Sequence, residues 1–212
     1  MQVVAPHVRD LVLVGGGHSN IQVLKYFGML PHPGIRLTLI SSYVNSMYSG
    51  MMAGLVSRQY ESDTTHINLE RLCQFAGARY ICGEVEGLAL ERQRILLIGR
   101  PSIRYDLLSL NVGSISPVNF TDAFSLKPIS EFERSLELLD ESVKKNQTLT
   151  IVGSGAAGLE MAFAFFVPNR PSFLFALAAA SLINPKESTK ELVKGKSILI
   201  PLIGKFSTAL CV

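Results

Sequence analysis

The stretch Leu11-Val12-Leu13-Val14-Gly15-Gly16-Gly17-His18-Ser19-Asn20 decides the fold. A short apolar run ends in three glycines, and an amphipathic segment from about Ser19 to Met29 follows at once. Pro31 and Pro33 end that segment, and a second apolar run covers Ile35–Ile40. This order of strand, glycine turn, helix and strand predicts a βαβ unit whose turn approaches the pyrophosphate of a dinucleotide.

The glycine turn departs from the G-x-G-x-x-G pattern. Gly15 and Gly17 fill the first two glycine positions, but Asn20 stands at the third. The second strand ends in Ser41 and Ser42, where an acidic residue usually binds the ribose. A serine hydroxyl can still hydrogen-bond the ribose, but more weakly because it carries no charge. Two interpretations therefore stay open: a dinucleotide site, or a Rossmann-like turn that only packs a helix on a sheet.

A second turn of this kind lies near position 150. Leu149–Val152 is a short apolar run, and Gly153, Gly155 and Gly158 after it fill all three glycine positions. Glu160 follows two residues later. The pattern predicts a second nucleotide-binding unit, and a tight strand-to-helix turn without a ligand is the alternative.

The segments between the two turns suit a parallel sheet with a small antiparallel insertion. A helix is expected over His66–Ala76 with Gly77 as its stop, and a second helix is expected to start with a capping box formed by Ser130 and Glu133. Short strands are expected over Arg79–Cys82, Val85–Leu90 and Arg94–Ile98, and a buried strand over Tyr105–Ser114.

Composition and charge exclude several function classes. The 212 residues carry a net charge of only +3 and no run of Lys or Arg, which argues against nucleic-acid binding. The three cysteines have no metal-ligand or CxxC spacing, so neither a metal site nor a disulfide is expected. No targeting segment precedes the first strand, and the apolar stretch Phe173–Ile183 is too short to span a bilayer. A cytoplasmic location follows, or an organelle if a targeting segment lies upstream.

The regular pattern ends after the second glycine turn. Residues 167–171 contain two prolines, and a complete nucleotide-binding half needs at least one more strand beyond this point. Residues 168–212 are therefore predicted to be a divergent tail, foreign to the fold and poorly ordered. Within that tail, Phe173–Ile183 is compatible with a buried helix and Ser197–Ile203 with a strand.

The two glycine turns, together with Leu13–Ser19, Tyr48–Met51 and Tyr105–Ser109, resemble a known family. It is the two-dinucleotide-binding-domain flavoproteins of the pyridine nucleotide-disulfide oxidoreductase superfamily. Within it, the motifs look like the type II NADH dehydrogenase-like branch, which occurs alone or fused to selenide, water dikinase. The resemblance covers roughly residues 10 to 166.

The resemblance implies an α/β fold in three parts: a Rossmann-like FAD-binding domain over residues 1–147, the start of a Rossmann NAD(P)-binding unit over 148–167, and the tail. It also implies that FAD binds at the first turn and NAD(P)H at the second, with electrons passing to a quinone-like small molecule and no side chain acting as acid or base. The implied cofactor-binding residues are Gly15, Gly16, Gly17, His18, Ser19, Ser41, Tyr48, Ser49, Gly50, Val85, Gly113, Ser114, Gly153, Gly155, Gly158 and Glu160.

The sequence departs from the family in three ways. Tyr43–Gly54 holds no cysteine pair, which argues against thiol–disulfide chemistry. No Gly-Asp pair occurs in the sequence, although the family uses one to hold the ribitol. The NAD(P) unit breaks off after its first helix, and the membrane- and quinone-facing C-terminal elements are missing, so peripheral membrane contact is not expected.

Three interpretations of function remain at this point. The first is a truncated FAD-dependent NAD(P)H oxidoreductase, and the second is a non-catalytic Rossmann-like remnant that binds FAD weakly or not at all. The third and remotest is a single-site NAD(P) dehydrogenase or a methyltransferase-type Rossmann enzyme. A homo-oligomer is compatible with all three.

Overall fold

The computed structural model describes residues 8–115, 124–144, 148–152, 156–165, 176–178, 197–201 and 210–211. The chain forms two compact units, each assembled from separate segments. The first unit comprises Met1–Ser46, His66–Gly113 and Ser207–Val212, and the second comprises Met47–Thr65 and Ser114–Phe206.

The described residues contain both helices and strands, as the α/β prediction requires. The helices are α1 (His18–Met29), α2 (Met52–Val56), α3 (Leu69–Phe75), α4 (Ile129–Lys144) and α5 (Ala156–Phe165). The strands are β1 (Arg9–Val14), β2 (Ile35–Ser41), β3 (Asn45–Met47), β4 (His66–Asn68), β5 (Arg79–Cys82), β6 (Val85–Ala89), β7 (Arg94–Leu97), β8 (Arg100–Arg104), β9 (Leu107–Leu110), β10 (Thr148–Val152), β11 (Ala176–Ala178), β12 (Ser197–Pro201) and β13 (Leu210–Cys211).

The first unit is built on a five-stranded sheet in the order β13-β9-β1-β2-β5. Strands β9, β1, β2 and β5 are parallel, and the short β13 pairs antiparallel with β9 at one edge. Side chains of β1 alternate between the two faces: Val12 and Val14 pack into one hydrophobic cluster, and Leu13 packs into another. The strand is apolar throughout its second half because both faces of the sheet are covered. The predicted βαβ unit is confirmed.

A separate antiparallel sheet of three strands, β6-β7-β8, also belongs to the first unit. It confirms the antiparallel insertion. Its third strand, β8, was not predicted from the sequence. Ile95 and Leu97 of β7 are buried while Leu96 between them is exposed, which is the alternation expected of a sheet that covers one side of a core.

The helix predicted over His66–Ala76 begins three residues late. His66–Asn68 is strand β4, which pairs with β3. The Asn68 side chain accepts a hydrogen bond of 2.8 Å from the backbone N–H of Arg71 and so caps α3. The predicted stop is confirmed, since Gly77 has φ +60 just beyond the last turn.

The second unit contains a parallel three-stranded sheet, β11-β10-β12, and helices α2, α4 and α5. Its core is one cluster of buried side chains: Met52, Val56, Leu126, Phe132, Ile151, Met161, Ala164 and Phe165. Helix α4 starts differently from the prediction. The carbonyl of Pro128 accepts from the N–H groups of Glu131 and Phe132, and Glu133 accepts from the Ser62 hydroxyl at 2.6 Å. Since α4 begins at Ile129, Ser130 lies inside the helix. The prediction that Ser130 and Glu133 form a capping box at its start is therefore wrong.

Three short strands lie within residues 168–212. Ala176–Ala178 and Ser197–Pro201 pair in parallel with opposite edges of β10. The helix considered for Phe173–Ile183 is wrong over Ala176–Ala178, because pairing with β10 favours the extended conformation there, whereas the strand considered near Ser197 is confirmed. The predicted poor order of this tail stays a prediction.

Acidic and basic side chains join the amino ends of β1, β2 and β9. Arg36 donates two hydrogen bonds to the Asp10 carboxylate, one of them from Nη2 at 2.8 Å. The Asp106 carboxylate accepts from the backbone N–H of Asp10 at 2.7 Å and pairs with Arg104 at 3.2 Å. Every strand end in this cluster is thereby tied to a neighbour.

Acidification is expected to weaken this cluster. The hydrogen bond from Arg36 holds the pKa of Asp10 below its ordinary value of 3.8, against the opposing effect of desolvation. Because the pKa is lowered in the folded state, the stabilisation is complete above pH 3.8 and is lost as the pH falls through the folded-state value. Urea unfolding measured from about pH 5 to about pH 2 should show a shallower fall in the free energy of unfolding for Arg36→Gln than for the unchanged chain. Equal slopes would contradict the assignment.

Candidate functional site

The carboxyl edge of the parallel sheet holds the first glycine turn. The chain leaves β1 at Gly15, which has φ +88, and the Gly15 N–H donates to the carbonyl of Ile40 at 2.8 Å. The Gly17 N–H donates to the carbonyl of Asn111 at 3.1 Å, and α1 begins at the next residue. The turn is therefore tied to β2 on one side and to the end of β9 on the other.

Glycine is required at this turn because the backbone passes so close to the residues after β9. A Cβ atom on Gly15 would overlap the carbonyl oxygen of Asn111 and lie 2.8 Å from the Cα of Val112. A Cβ atom on Gly17 would overlap the Asn111 side chain and lie 2.6 Å from its carbonyl oxygen. A Cβ atom on Gly16 would lie 2.5 Å from the Leu69 side chain. Gly15 and Gly17 must be glycine because backbone atoms lie too close for a side chain, and backbone cannot shift without moving the strands.

Asn111 is a part of the turn that the glycine pattern did not reveal. Its side chain is buried, and its Oδ1 accepts from the backbone N–H of Ser19 at 3.2 Å, in the first turn of α1. It thus caps α1 from the segment that follows β9. The signal in the sequence was a polar residue directly after the apolar run Leu107–Leu110, which in a parallel sheet lies beside the glycine turn.

Asn20, at the position of the missing third glycine, is fully buried and fully hydrogen-bonded. Its Nδ2 donates to the carbonyls of Val14 at 3.0 Å and Gly15 at 2.8 Å. Its Oδ1 accepts from the hydroxyl of Ser109 at 2.8 Å. The asparagine therefore joins α1, the end of β1 and the middle of β9, where a glycine would have brought helix and sheet together by its small size.

The amino end of α1 is suited to an anion. His18 and Ser19 are exposed, and the first turn contains no acidic residue. The N–H of Gly16 has no hydrogen-bond partner among the described residues, and the Gly16 carbonyl is held by the hydroxyl of Ser46 at 2.7 Å. Backbone N–H groups and the positive end of the helix dipole attract negatively charged groups.

The end of β2, where a ribose would be expected, carries no acid. Ser41 is buried, and its hydroxyl donates to the carbonyl of Tyr43 at 3.0 Å. Ser42 is exposed. The Ser41 hydroxyl predicted to contact the ribose is thus already bonded to its own chain, and Ser42 presents the accessible hydroxyl.

The remaining predicted residues of the first unit lie near other strand ends. Val85 opens β6, is half-buried and packs against the hydrophobic cluster that contains Val12. Gly113 is exposed and has φ +83, and a Cβ atom added there would meet no atom within 4 Å. The positive φ explains why glycine stands at this position.

The other predicted residues belong to the second unit. Tyr48 is half-buried, and Ser49 and Gly50 lie in an exposed 3-10 turn that follows it. The hydroxyl oxygen of Ser114 is buried and has no hydrogen-bond partner among the described residues. Such an atom is rare in folded proteins and is consistent with a ligand group at this position.

The second glycine turn is only partly visible. Gly153 and Gly155 lie outside the described residues. Gly158 is buried on the inner side of α5, and Glu160 is exposed on that helix. A buried glycine here allows the close helix packing predicted for the third glycine position.

The described part of the chain holds no group of three or more His, Cys, Asp or Glu residues that could bind a metal ion. Cys73 and Cys82 are free thiols, and burial raises the pKa of Cys73 to about 11, so its thiolate does not form near neutral pH. Within the described ranges, every helix is too short or too polar to cross a bilayer.

Comparison with known proteins finds relatives that match nearly three quarters of this chain. No protein-family model matches the chain. The chain is 26% identical to the NADH dehydrogenase-like protein YutJ of Bacillus subtilis over 173 residues, covering 73% of this chain and 44% of that protein. It is 25% identical to ferroptosis suppressor protein 1 of Xenopus tropicalis over 163 residues, covering 72% and 39%. The chain therefore spans less than half the length of these relatives.

Solved structures agree on the fold. The NADH:rubredoxin oxidoreductase of Clostridium acetobutylicum aligns with a TM-score of 0.66 at 16% identity, over 93% of this chain and 58% of that one. The sulfide:quinone oxidoreductase of Aquifex aeolicus aligns with a TM-score of 0.58 at 18% identity, over 69% and 34%. At these identities the likeness establishes a shared fold.

Proposed function

We propose that this chain is an FAD-dependent NAD(P)H oxidoreductase. The premise is its relationship to the two-dinucleotide-binding-domain flavoproteins of the pyridine nucleotide-disulfide oxidoreductase superfamily, in their type II NADH dehydrogenase-like branch. The reaction oxidises NAD(P)H and reduces a quinone-like small molecule. When bound, FAD supplies the two-electron relay between the two substrates. The chain spans less than half the length of these relatives, so the activity of the whole enzyme is part of this proposal.

One observation carries the proposal: the backbone of Gly15–Gly17 lies against Asn111 and leaves the start of α1 open to an anion. A Cβ atom at Gly15 or Gly17 would overlap Asn111. The N–H of Gly16, which has no partner in the part of the chain that the structure describes, and the exposed first residues of α1 are the groups that a pyrophosphate binds. These features support FAD at this turn.

The FAD contacts proposed for the first unit follow the ends of its strands. Gly15–Ser19 would take the pyrophosphate, Ser42 at the end of β2 would take the ribose, and the backbone near Val85 would take the adenine. In the second unit, considered by itself, the buried hydroxyl oxygen of Ser114 has no hydrogen-bond partner among the described residues, which supports a polar ligand group beside it. The flavin contact of Tyr48–Gly50 stays a prediction.

NAD(P)H is proposed to bind at the second glycine turn. Gly153, Gly155 and Gly158 would let the dinucleotide and α5 approach β10 closely, and the role of Glu160 beside them is to contact the nucleotide. The buried position of Gly158 supports that close packing. A cytoplasmic location and a homo-oligomer remain proposals that rest on the sequence alone.

The second candidate function is a non-catalytic remnant that keeps the Rossmann-like core. It is favoured by the commitment of the Ser41 hydroxyl to Tyr43, which leaves the ribose position with fewer contacts than an acidic residue would give. The two candidates differ in whether the chain binds FAD and whether NADH then reduces it.

The visible spectrum of the purified chain separates the two candidates. An oxidoreductase binds FAD, shows the flavin absorption bands and loses them when NADH or NADPH is added without oxygen, and the bands return when a soluble quinone is added. Gly77→Ala serves as the matched control, because Gly77 has open space around it and lies at the end of α3, outside the proposed site. Bound flavin that neither NADH nor NADPH reduces would support the remnant.

A further inference from the structure

We propose that Arg100 recognises the adenosine end of the dinucleotide at the first glycine turn, in the place where the usual acidic residue is missing from the end of β2. The inference rests on the proposed function, since it assumes that FAD is the ligand of that turn. It assigns a role to a side chain on β8, a strand that the glycine motif itself does not include.

The Arg100 side chain lies beside the end of β2. Gly83 follows directly after β5, and its N–H donates to the carbonyl of Ser41 at 3.0 Å. A Cβ atom on Gly83 would lie 3.8 Å from the Cδ of Arg100 and 4.0 Å from its Nε. The Arg100 side chain therefore passes over Gly83, at the edge where β2 and β5 end together.

The backbone fixes this position. Arg100 is the first residue of β8 and pairs with Leu97 of β7. In the turn between these strands, the N–H of Ile98 donates to the carbonyl of Glu84 at 3.0 Å. The turn that carries Arg100 is thus tied to the residue after Gly83, so the side chain starts from a defined point at the sheet edge.

The Arg100 side chain has no partner among the described residues. It is exposed, and it forms no hydrogen bond or ion pair with any described residue, the neighbouring carboxylates of Glu84 and Glu86 included. The guanidinium of Arg100 is available to a ligand.

The chemistry of a guanidinium suits the adenosine end. In Rossmann-type units the ribose lies at the end of β2, with the base beyond it. A guanidinium is planar, so it stacks on an adenine face, and its five donors reach ribose oxygens without needing an acidic partner. Because Ser42 is the exposed serine at the end of β2 and no acidic residue stands there, Arg100 would supply the larger share of the contact.

The test compares ligands with and without adenosine. Calorimetric titrations of the full chain with FAD, ADP and FMN are made for the unchanged protein, Arg100→Ala and the matched control Arg94→Ala, whose arginine is exposed on the adjacent strand but bonded to Ser102. We expect Arg100→Ala to weaken FAD and ADP about tenfold, to leave FMN unchanged, and Arg94→Ala to change none of them. Arg100→Lys should restore only part of the loss, because an ammonium group does not stack as a guanidinium does.

The outcomes that overturn the inference are separate from those that overturn the proposed function. Unchanged FAD and ADP affinity in Arg100→Ala, or equal losses for FAD and FMN, overturns the role of Arg100 while FAD binding stands. Absence of FAD binding to the unchanged chain overturns both. Adenosine 2′,5′-bisphosphate that binds at least tenfold more tightly than ADP, with the preference lost in Arg100→Ala, would show that the arginine selects a phosphorylated ribose, and both assignments would then fail.

Discussion

Gly15→Ala is expected to cost about 2–5 kcal/mol of stability and to abolish FAD binding. Two causes add. Gly15 has φ +88, which an alanine adopts only with strain, and its added methyl group would overlap the carbonyl oxygen of Asn111. Because that oxygen is backbone, relief requires β1 and the residues after β9 to separate, and the turn then loses the shape that approaches the pyrophosphate. Urea unfolding followed by circular dichroism measures the loss.

Gly77→Ala separates the two causes. Gly77 has φ +60, but a Cβ atom there would meet no atom within 4 Å. It therefore carries the strain of a positive φ without the close contact, and about 1 kcal/mol is expected. Equal losses for the two variants would mean that the close approach to Asn111 contributes nothing, which would contradict the geometry of the turn.

Asn20→Gly is expected to destabilise the chain by about 2–4 kcal/mol, although it restores the glycine of the familiar motif. The substitution removes both donor contacts of Nδ2, to the carbonyls of Val14 and Gly15, and leaves the Ser109 hydroxyl without its acceptor. Asn20 is 0% exposed, so water does not replace these bonds. A glycine inside a helix adds a further cost because the unfolded chain gains freedom.

A double-mutant cycle with Ser109→Ala tests the reason for that loss. Ser109→Ala removes the hydroxyl whose acceptor is Asn20, so the combined variant should be more stable than the sum of the two single losses predicts, by about 1 kcal/mol. A neutral or stabilising Asn20→Gly would contradict the structural role of Asn20. It would instead favour the interpretation that the asparagine is a tolerated defect of the glycine motif.

The parts of the fold that were predicted are those encoded by local pattern. An apolar run, a glycine turn and an amphipathic segment are adjacent in the sequence, so β1, α1 and β2 follow from periodicity and turn chemistry. The start of α3 was missed because Asn68 caps the helix, while the three residues before it pair with β3. Strand β8 was missed because the alternation of its side chains is disturbed by Arg100, Pro101 and Arg104.

The site was predicted where glycines mark it and missed where distant residues complete it. Gly15 and Gly17 announce the turn, but the residue that requires them to be glycine, Asn111, lies more than ninety residues later and becomes visible only when β9 pairs with β1. Ser41 shows what local pattern leaves out. Its place at the end of β2 predicts a ribose contact, and its hydroxyl bond to Tyr43 was not visible in the sequence. The ribose contact itself stays a prediction.

Equilibrium titration of the unchanged full chain with FAD, alongside Gly15→Ala and Gly77→Ala, tests the central assignment most directly. We expect saturable binding of one FAD per chain for the unchanged protein and for Gly77→Ala, and none for Gly15→Ala. A folded, unchanged chain that shows no saturable FAD binding would contradict the assignment of the Gly15–Asn20 turn as a flavin dinucleotide site.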